Sequence, residues 1–91
     1  MLTIWKYPIP VQDNIQVEMP KGARVLTVQM QMDVPYVWAL VNPQAEKEIR
    51  TFRLVGTGHE IRHSDKLTYI GTFQLEGGAL VFHLFERERP S

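Results

Sequence analysis

Residues His59 to His63 match a known catalytic spacing, H-E-x-x-H. On a helix, two histidines four residues apart face one zinc ion, and the glutamate between them polarises the attacking water. The neighbouring sequence is unfavourable for that helix, because Gly56 and Gly58 precede the motif and Ser64-Asp65 follow it. We therefore expect a polar loop, with no metal favoured and no cofactor. If a zinc ion does bind, His59 and His63 are its ligands.

A zinc site also needs a third protein ligand. Asp65 and Glu76 are the nearby downstream carboxylates, and neither lies on a recognisable second helix. A zinc-dependent hydrolase in which Glu60 activates water remains an alternative function. Glu60 also has a structural interpretation, because its spacing from Thr57 is that of a capping box, which would begin a single helical turn.

A second group of residues has the chemistry of a binding site. The Gly56-Thr57-Gly58 stretch could hold an anion with its backbone amides, although a tight strand exit explains it equally well. His83 alternates with Val81 and Phe85, so its imidazole is a ligand, a base or a core residue with backbone partners. Exposed aromatic rings add contact surface. The candidate binding residues are Trp38, Gly56, Thr57, Gly58, His59, Tyr69 and His83.

These residues lie in or beside segments that alternate apolar and polar side chains, the pattern of half-buried strands. In the first half of the chain, Ile15 to Met19 and Leu26 to Met32 alternate in this way, with Leu26, Val28, Met30 and Met32 on one face. The turn residues Pro20-Lys21-Gly22 between the two segments predict a hairpin. A second turn is expected at Asp33-Val34-Pro35.

The next segment, Tyr36 to Val41, is apolar on both faces, which predicts a central strand covered on both sides. Residues 42–48 predict a loop or a short helix. From Leu67 the alternation places Leu67, Tyr69, Gly71, Phe73 and Leu75 together, and Glu76-Gly77-Gly78 predicts a hairpin to Ala79–Phe85.

With Leu2 to Tyr7 as a first strand, these segments predict an all-β fold. Its architecture is a compact antiparallel β-sandwich or small barrel of six to seven strands, with at most one short helical turn. Residues 1–86 form a single β domain. Residues 87–91 form a charged C-terminal tail that frays into solvent.

The amino-acid composition limits the kinds of binding partner and site that we expect. Among the 91 residues, ten basic and ten acidic side chains cancel and are scattered, so nucleic acid is an unlikely partner. No cysteine is present, which excludes disulfides, thiolate metal sites and a cysteine nucleophile. Lys6, Pro8 and Pro10 interrupt the apolar N-terminus, so we expect neither a signal peptide nor a membrane span, and we expect a cytoplasmic location.

Four stretches of the sequence carry a resemblance: Val37–Pro43, Phe52–His59, Tyr69–Gln74 and Val81–Glu86. Together they resemble a family of small phage and prophage proteins of unknown function. In that family the histidine corresponding to His59 is usually followed by proline, so Glu60 departs from the pattern. The resemblance implies a compact β protein made during infection or carried by a prophage. It implies no ligand, activity or catalytic residue.

The expected function is a non-enzymatic binding module, a phage or prophage accessory protein that acts by contact. Apolar strands in so small a domain favour a homo-oligomer, because exposed sheet edges pair readily. The partner would be a host or phage protein, or a small molecule at the oligomer interface. The alternatives are the zinc hydrolase and the sequestration of a nucleotide-like ligand.

Overall fold

The computed structural model describes residues 1–89 of the chain, which contain seven β-strands and one three-residue 3-10 turn. The all-β prediction is confirmed, including the single short helical turn. Within these residues no helix is long and apolar enough to cross a bilayer. The elements are β1 (Thr3–Pro8), β2 (Asn14–Pro20), β3 (Arg24–Gln31), β4 (Val34–Val41), β5 (Lys47–Gly56), β6 (Leu67–Leu75), the turn Glu76–Gly78 and β7 (Leu80–Arg87).

The strands form two antiparallel sheets. The first sheet has the order β1-β4-β3 and the second has the order β2-β5-β7-β6. β3 and β6 approach each other so closely that a Cβ atom added to Gly71 would lie 2.8 Å from Cγ1 of Val28. By hydrogen bonding, β1 and β3 are the edges of the first sheet, and β2 and β6 are those of the second. Because β3 and β6 lie against each other, β1 and β2 are the open edges of the described chain.

The core lies between the inner faces of the two sheets. Each large apolar side chain moved there from water stabilises the fold by about 1.5–3 kcal/mol. The central position of β4 is confirmed, but only its inner face is fully buried, whereas Tyr36, Trp38 and Leu40 on the outer face are half-exposed. The most completely buried apolar side chains are Ile15, Met19, Val37, Val41, Phe52 and Leu84.

The segment Pro20-Lys21-Gly22 is a turn, as predicted, but the predicted hairpin is wrong. β2 pairs with β5 in one sheet and β3 pairs with β4 in the other. β2 and β3 each have one apolar face. Both of these faces are buried because the two strands face each other across the core. The chain therefore crosses between sheets here, with Gly22 at a φ of 80° and the Ala23 N–H donating to the Pro20 carbonyl.

A buried arginine fixes this crossing. Arg50 is only 4% exposed, and its Nη1 donates to the carbonyl of Ala23 at 2.7 Å. Its Nε and Nη2 donate to the two carboxylate oxygens of Glu86 at 2.5 and 3.0 Å. A buried guanidinium needs such partners, because an unpaired charge in the core is strongly unfavourable. Arg50 thus connects β5, β7 and the crossing segment.

Residues 87–89 of the predicted C-terminal tail contact the rest of the domain. β7 continues through Arg87, and the Glu88 N–H donates to the Lys66 carbonyl. Arg89 donates to Glu48 at 2.6 Å. The Gly22 N–H and the two nearby arginines hold the pKa of the Glu48 carboxyl below its usual range. Residues 90 and 91 of the predicted tail lie outside the described residues.

Two expected features of the β3–β4 segment are wrong. A bulge between Val25 and Thr27 removes Leu26 from the core face. Of the four side chains predicted to lie on that face, only Val28 and Met30 do so. The β3–β4 turn is Met32-Asp33, one residue earlier than expected, and both residues have positive φ angles. Met32 is therefore exposed at the turn rather than buried.

The segments after β4, β5 and β6 all contain turns. The β6–β7 hairpin is confirmed, with Leu75 paired to Leu80 around the Glu76–Gly78 turn. Residues 42–46 form a hydrogen-bonded turn with no helix. The turn at Thr57-Gly58 likewise does not continue into a helix.

Candidate functional site

A bulge in β6 determines which side chains meet on the outer face of the second sheet. Tyr69 pairs with Phe85 and Gly71 pairs with Leu84, so Ile70 is the extra residue. A bulge re-aims the side chains that follow it. As a result Tyr69 and Thr72 share the outer face although they are three residues apart. The expectation that Tyr69 shares a face with Phe73 is therefore wrong.

The imidazole of His83 lies in the middle of a hydrogen-bonded row on this face. Its Nε2 is 2.7 Å from Oγ1 of Thr57, and its Nδ1 is 2.9 Å from Oγ1 of Thr72. Oγ1 of Thr72 is in turn 2.5 Å from the Tyr69 hydroxyl. Four side chains from β6, β7 and the turn after β5 are thus connected. Three of them, Thr57, Tyr69 and His83, are predicted binding residues.

One arrangement of protons uses every donor in this row. Tyr69 donates to Thr72, Thr72 donates to Nδ1 of His83, and Nε2–H of His83 donates to Thr57. The Thr57 hydroxyl then donates to the Val81 carbonyl, 3.5 Å away. In this arrangement the imidazole of His83 is hydrogen-bonded at both ring nitrogens, which gives the row a defined orientation on the sheet.

Aromatic and cationic groups flank the row. The rings of Tyr69 and Phe85 pack edge to face with centroids 5.5 Å apart. Arg53 pairs with Phe85 across the strands, and its Nη1 is 3.4 Å from a carboxylate oxygen of Asp65. We call the outer surface formed by Arg53, Thr57, Tyr69, Thr72, His83 and Phe85 the His83 face. Arg53, Thr72 and Phe85 were not predicted, because lone residues of these types in strands have no distinguishing spacing.

The glycine stretch at the end of β5 is a strand exit in this structure. The Thr57 N–H donates to the Val81 carbonyl, and the His59 N–H donates to the Gly56 carbonyl. Neither amide is therefore available to an anion. Gly58 has a φ of 87°, which favours glycine. The His59 ring packs against Gly56, where an added Cβ would lie 3.0 Å from the ring.

Residues 59–66 contain no helix, so the two histidines of the H-E-x-x-H segment lack the scaffold on which they would face one ion. His59, Glu60 and His63 are all exposed. Thr57 hydrogen-bonds to His83, and Glu60 has no helix to cap. Among residues 1–89, no group of three or more His, Cys, Asp or Glu side chains is placed to hold a metal.

Trp38, another predicted binding residue, lies on the outer face of the first sheet, apart from the His83 face. Its ring is 6.2 Å from that of Tyr36. The ammonium of Lys6 lies 4.7 Å from the Tyr36 centroid and 5.7 Å from that of Trp38. The indole N–H of Trp38 is buried and has no hydrogen-bond partner among residues 1–89.

The comparisons with known proteins identify a family but no activity. A family described as a domain of unknown function (DUF7352) matches residues 1–91. The chain belongs to this family. No curated protein and no solved structure shows significant similarity to it. The geometry of this DUF7352 domain is therefore the basis for any functional proposal.

The two open edges of the DUF7352 domain differ in chemistry. The β2 edge exposes Asn14, Gln16 and Glu18. The β1 edge instead exposes Ile4, which is 54% exposed, and Trp5, and Leu2 immediately before it is also exposed. Native sheets usually protect open edges with charged residues. Each edge strand carries one charge, Glu18 on β2 and Lys6 on β1, so it is the exposed apolar side chains that make β1 the less protected edge.

Proposed function

We propose that this DUF7352 domain is a non-enzymatic binding module that acts as a homodimer through its β1 edge. The observation that carries the proposal is the open edge of β1, which is apolar where the edge of β2 is polar. An unpaired edge presents N–H and C=O groups that a further strand can satisfy.

A second copy of the chain fits this edge. Antiparallel pairing of two β1 strands about a twofold axis at Ile4 places Ile4 opposite its own copy and Lys6 opposite Leu2. No like charges then face each other. The result is a continuous six-stranded sheet that covers apolar side chains from both copies. A domain of this size buries only about 60% of its extended-chain surface, so dimerisation adds needed burial.

The biological setting of the proposal rests on the resemblance to small phage and prophage proteins. That resemblance supports an accessory protein made in the cytoplasm during infection or carried by a prophage. Its dimer would act by contact, with a host or phage protein as the partner. Binding rather than catalysis is favoured because the H-E-x-x-H segment lies in an exposed loop without a helix.

Light scattering coupled to size exclusion tests the dimer at micromolar concentration. We expect the wild-type protein at twice its 10.6 kDa chain mass. Ile4→Lys should give monomers, because it places two ammonium groups directly opposite each other. Ile49→Lys is the matched control, since Ile49 is 52% exposed on a strand of the other sheet.

The control variant should remain dimeric. A wild-type protein that is strictly monomeric would overturn the proposal. So would a dimer that survives Ile4→Lys, or one that is lost equally in both variants. Circular dichroism of each variant establishes that the fold is retained.

A further inference from the structure

The His83 face combines three kinds of groups that recognise different parts of one ligand. Tyr69 is 57% exposed, so a face of its ring is open to stacking. The row Thr57–His83–Thr72–Tyr69 supplies oriented hydrogen-bonding groups. Arg53 lies beside Phe85 on the same face, with Nη1 of its guanidinium 3.4 Å from a carboxylate oxygen of Asp65.

Charge is also unevenly distributed over the molecule. The chain as a whole has equal numbers of acidic and basic residues. The loop after β5 and the outer face of the second sheet carry five cations, Lys47, Arg53, Arg62, Lys66 and Arg87, against three carboxylates, Glu18, Glu60 and Asp65. This part of the surface therefore favours an anion, and the excess is small enough to suit one phosphate group rather than a long polyanion.

We infer that the His83 face binds a mononucleotide. Its base stacks on Tyr69, its polar edges and ribose hydroxyls bond to the His83 row, and its phosphate is attracted by Arg53 and the neighbouring cations. The β6 bulge is essential to this site, because it brings Tyr69 and Thr72 to the same face. The site is on the sheet opposite the β1 edge, so it is independent of the proposed dimer.

Isothermal titration calorimetry with the four ribonucleoside monophosphates tests the inference. Adenosine, inorganic phosphate and a short single-stranded DNA serve as separate ligands. We expect at least one monophosphate to bind below about 1 mM and to raise the melting temperature. Adenosine and phosphate alone should bind more weakly than the monophosphate that contains both parts.

Two substitutions on the face and one elsewhere locate the site. Tyr69→Leu removes the stacking ring, and Thr72→Val removes one hydroxyl with little change of shape; each should weaken binding about tenfold. Thr27→Val, on a strand of the other sheet, is the matched control and should bind as the wild type does. Melting curves of the unliganded variants verify that each is folded.

Several outcomes would overturn the inference. These are no binding of any monophosphate at about 1 mM, binding that Tyr69→Leu and Thr72→Val leave unchanged, and binding of single-stranded DNA alone. Ile4→Lys distinguishes this inference from the proposed function. A monomeric Ile4→Lys variant that still binds the nucleotide separates the two sites.

Discussion

At the scale of single residues, two polar groups in this domain show how partners decide the effect of burial. The Arg50 guanidinium is buried but meets two carboxylate oxygens and a carbonyl. The Tyr7 hydroxyl is buried and has no partner in the described chain. An unsatisfied buried hydroxyl lowers stability, whereas replacing it by an apolar group of the same shape removes the penalty. Removing the Tyr7 hydroxyl should therefore increase the stability of the protein.

Tyr7→Phe should raise the free energy of unfolding by about 1 kcal/mol at neutral pH. Burial also raises the pKa of the Tyr7 phenol above its ordinary value. The unfolded chain therefore loses this proton first as the pH rises past about 10, and wild-type stability falls there. Tyr7→Phe should lose less stability in that range. Urea melts at several pH values, with Tyr36→Phe as the control, measure both effects. A Tyr7→Phe protein no more stable than the wild type at neutral pH would contradict the first of these two effects.

At the scale of elements, the β3–β4 hairpin is closed by an unusual pair of residues. Met32 and Asp33 have φ angles of 49° and 66°, the left-handed region of a two-residue hairpin turn. Asparagine and glycine are preferred there, and other side chains cost about 1–2 kcal/mol. Met32 is almost fully exposed, so its side chain gains nothing from burial in compensation.

Met32→Asn should therefore stabilise the protein by about 0.5–1 kcal/mol, since asparagine tolerates this conformation. The measurement is the midpoint of urea unfolding. Met30→Asn is the contrasting variant, because Met30 packs against the core, and it should destabilise. If Met32→Asn lowers the midpoint, the turn conformation at this position is not a source of strain.

The strands and turns also show which features of the fold can be predicted from the sequence. Alternation identified the strands because side-chain polarity follows burial directly. It assigned Leu26 and Tyr69 to the wrong face, because one inserted residue reverses the alternation without leaving a signal in composition. The β2–β3 pairing failed for another reason, since a turn looks the same whether the chain returns to one sheet or crosses to the other. Thr57, Tyr69 and His83 were predicted singly. The β5–β7 pairing brings Thr57 to His83, and the β6 bulge places Tyr69 in the same row.

At the scale of the whole molecule, the two sheets are joined where β3 meets β6. Gly71 lies against Val28, which is buried, and a Cβ at Gly71 would be 2.8 Å from a Val28 methyl group. That distance is shorter than any stable contact between carbon atoms. A methyl group added there must displace β6 from β3, and with it the bulge that shapes the His83 face.

Gly71→Ala should destabilise the protein by about 1–3 kcal/mol, as overpacking of a core does. Gly56→Ala is the matched control. The atoms nearest to its added methyl belong to the exposed ring of His59, which can turn away. The loss of glycine flexibility in the unfolded chain also favours this variant. Thermal and urea unfolding of both variants give the comparison. A Gly71→Ala protein as stable as Gly56→Ala would show that the sheets can separate at this point without loss, and that the β3–β6 contact does not hold them together.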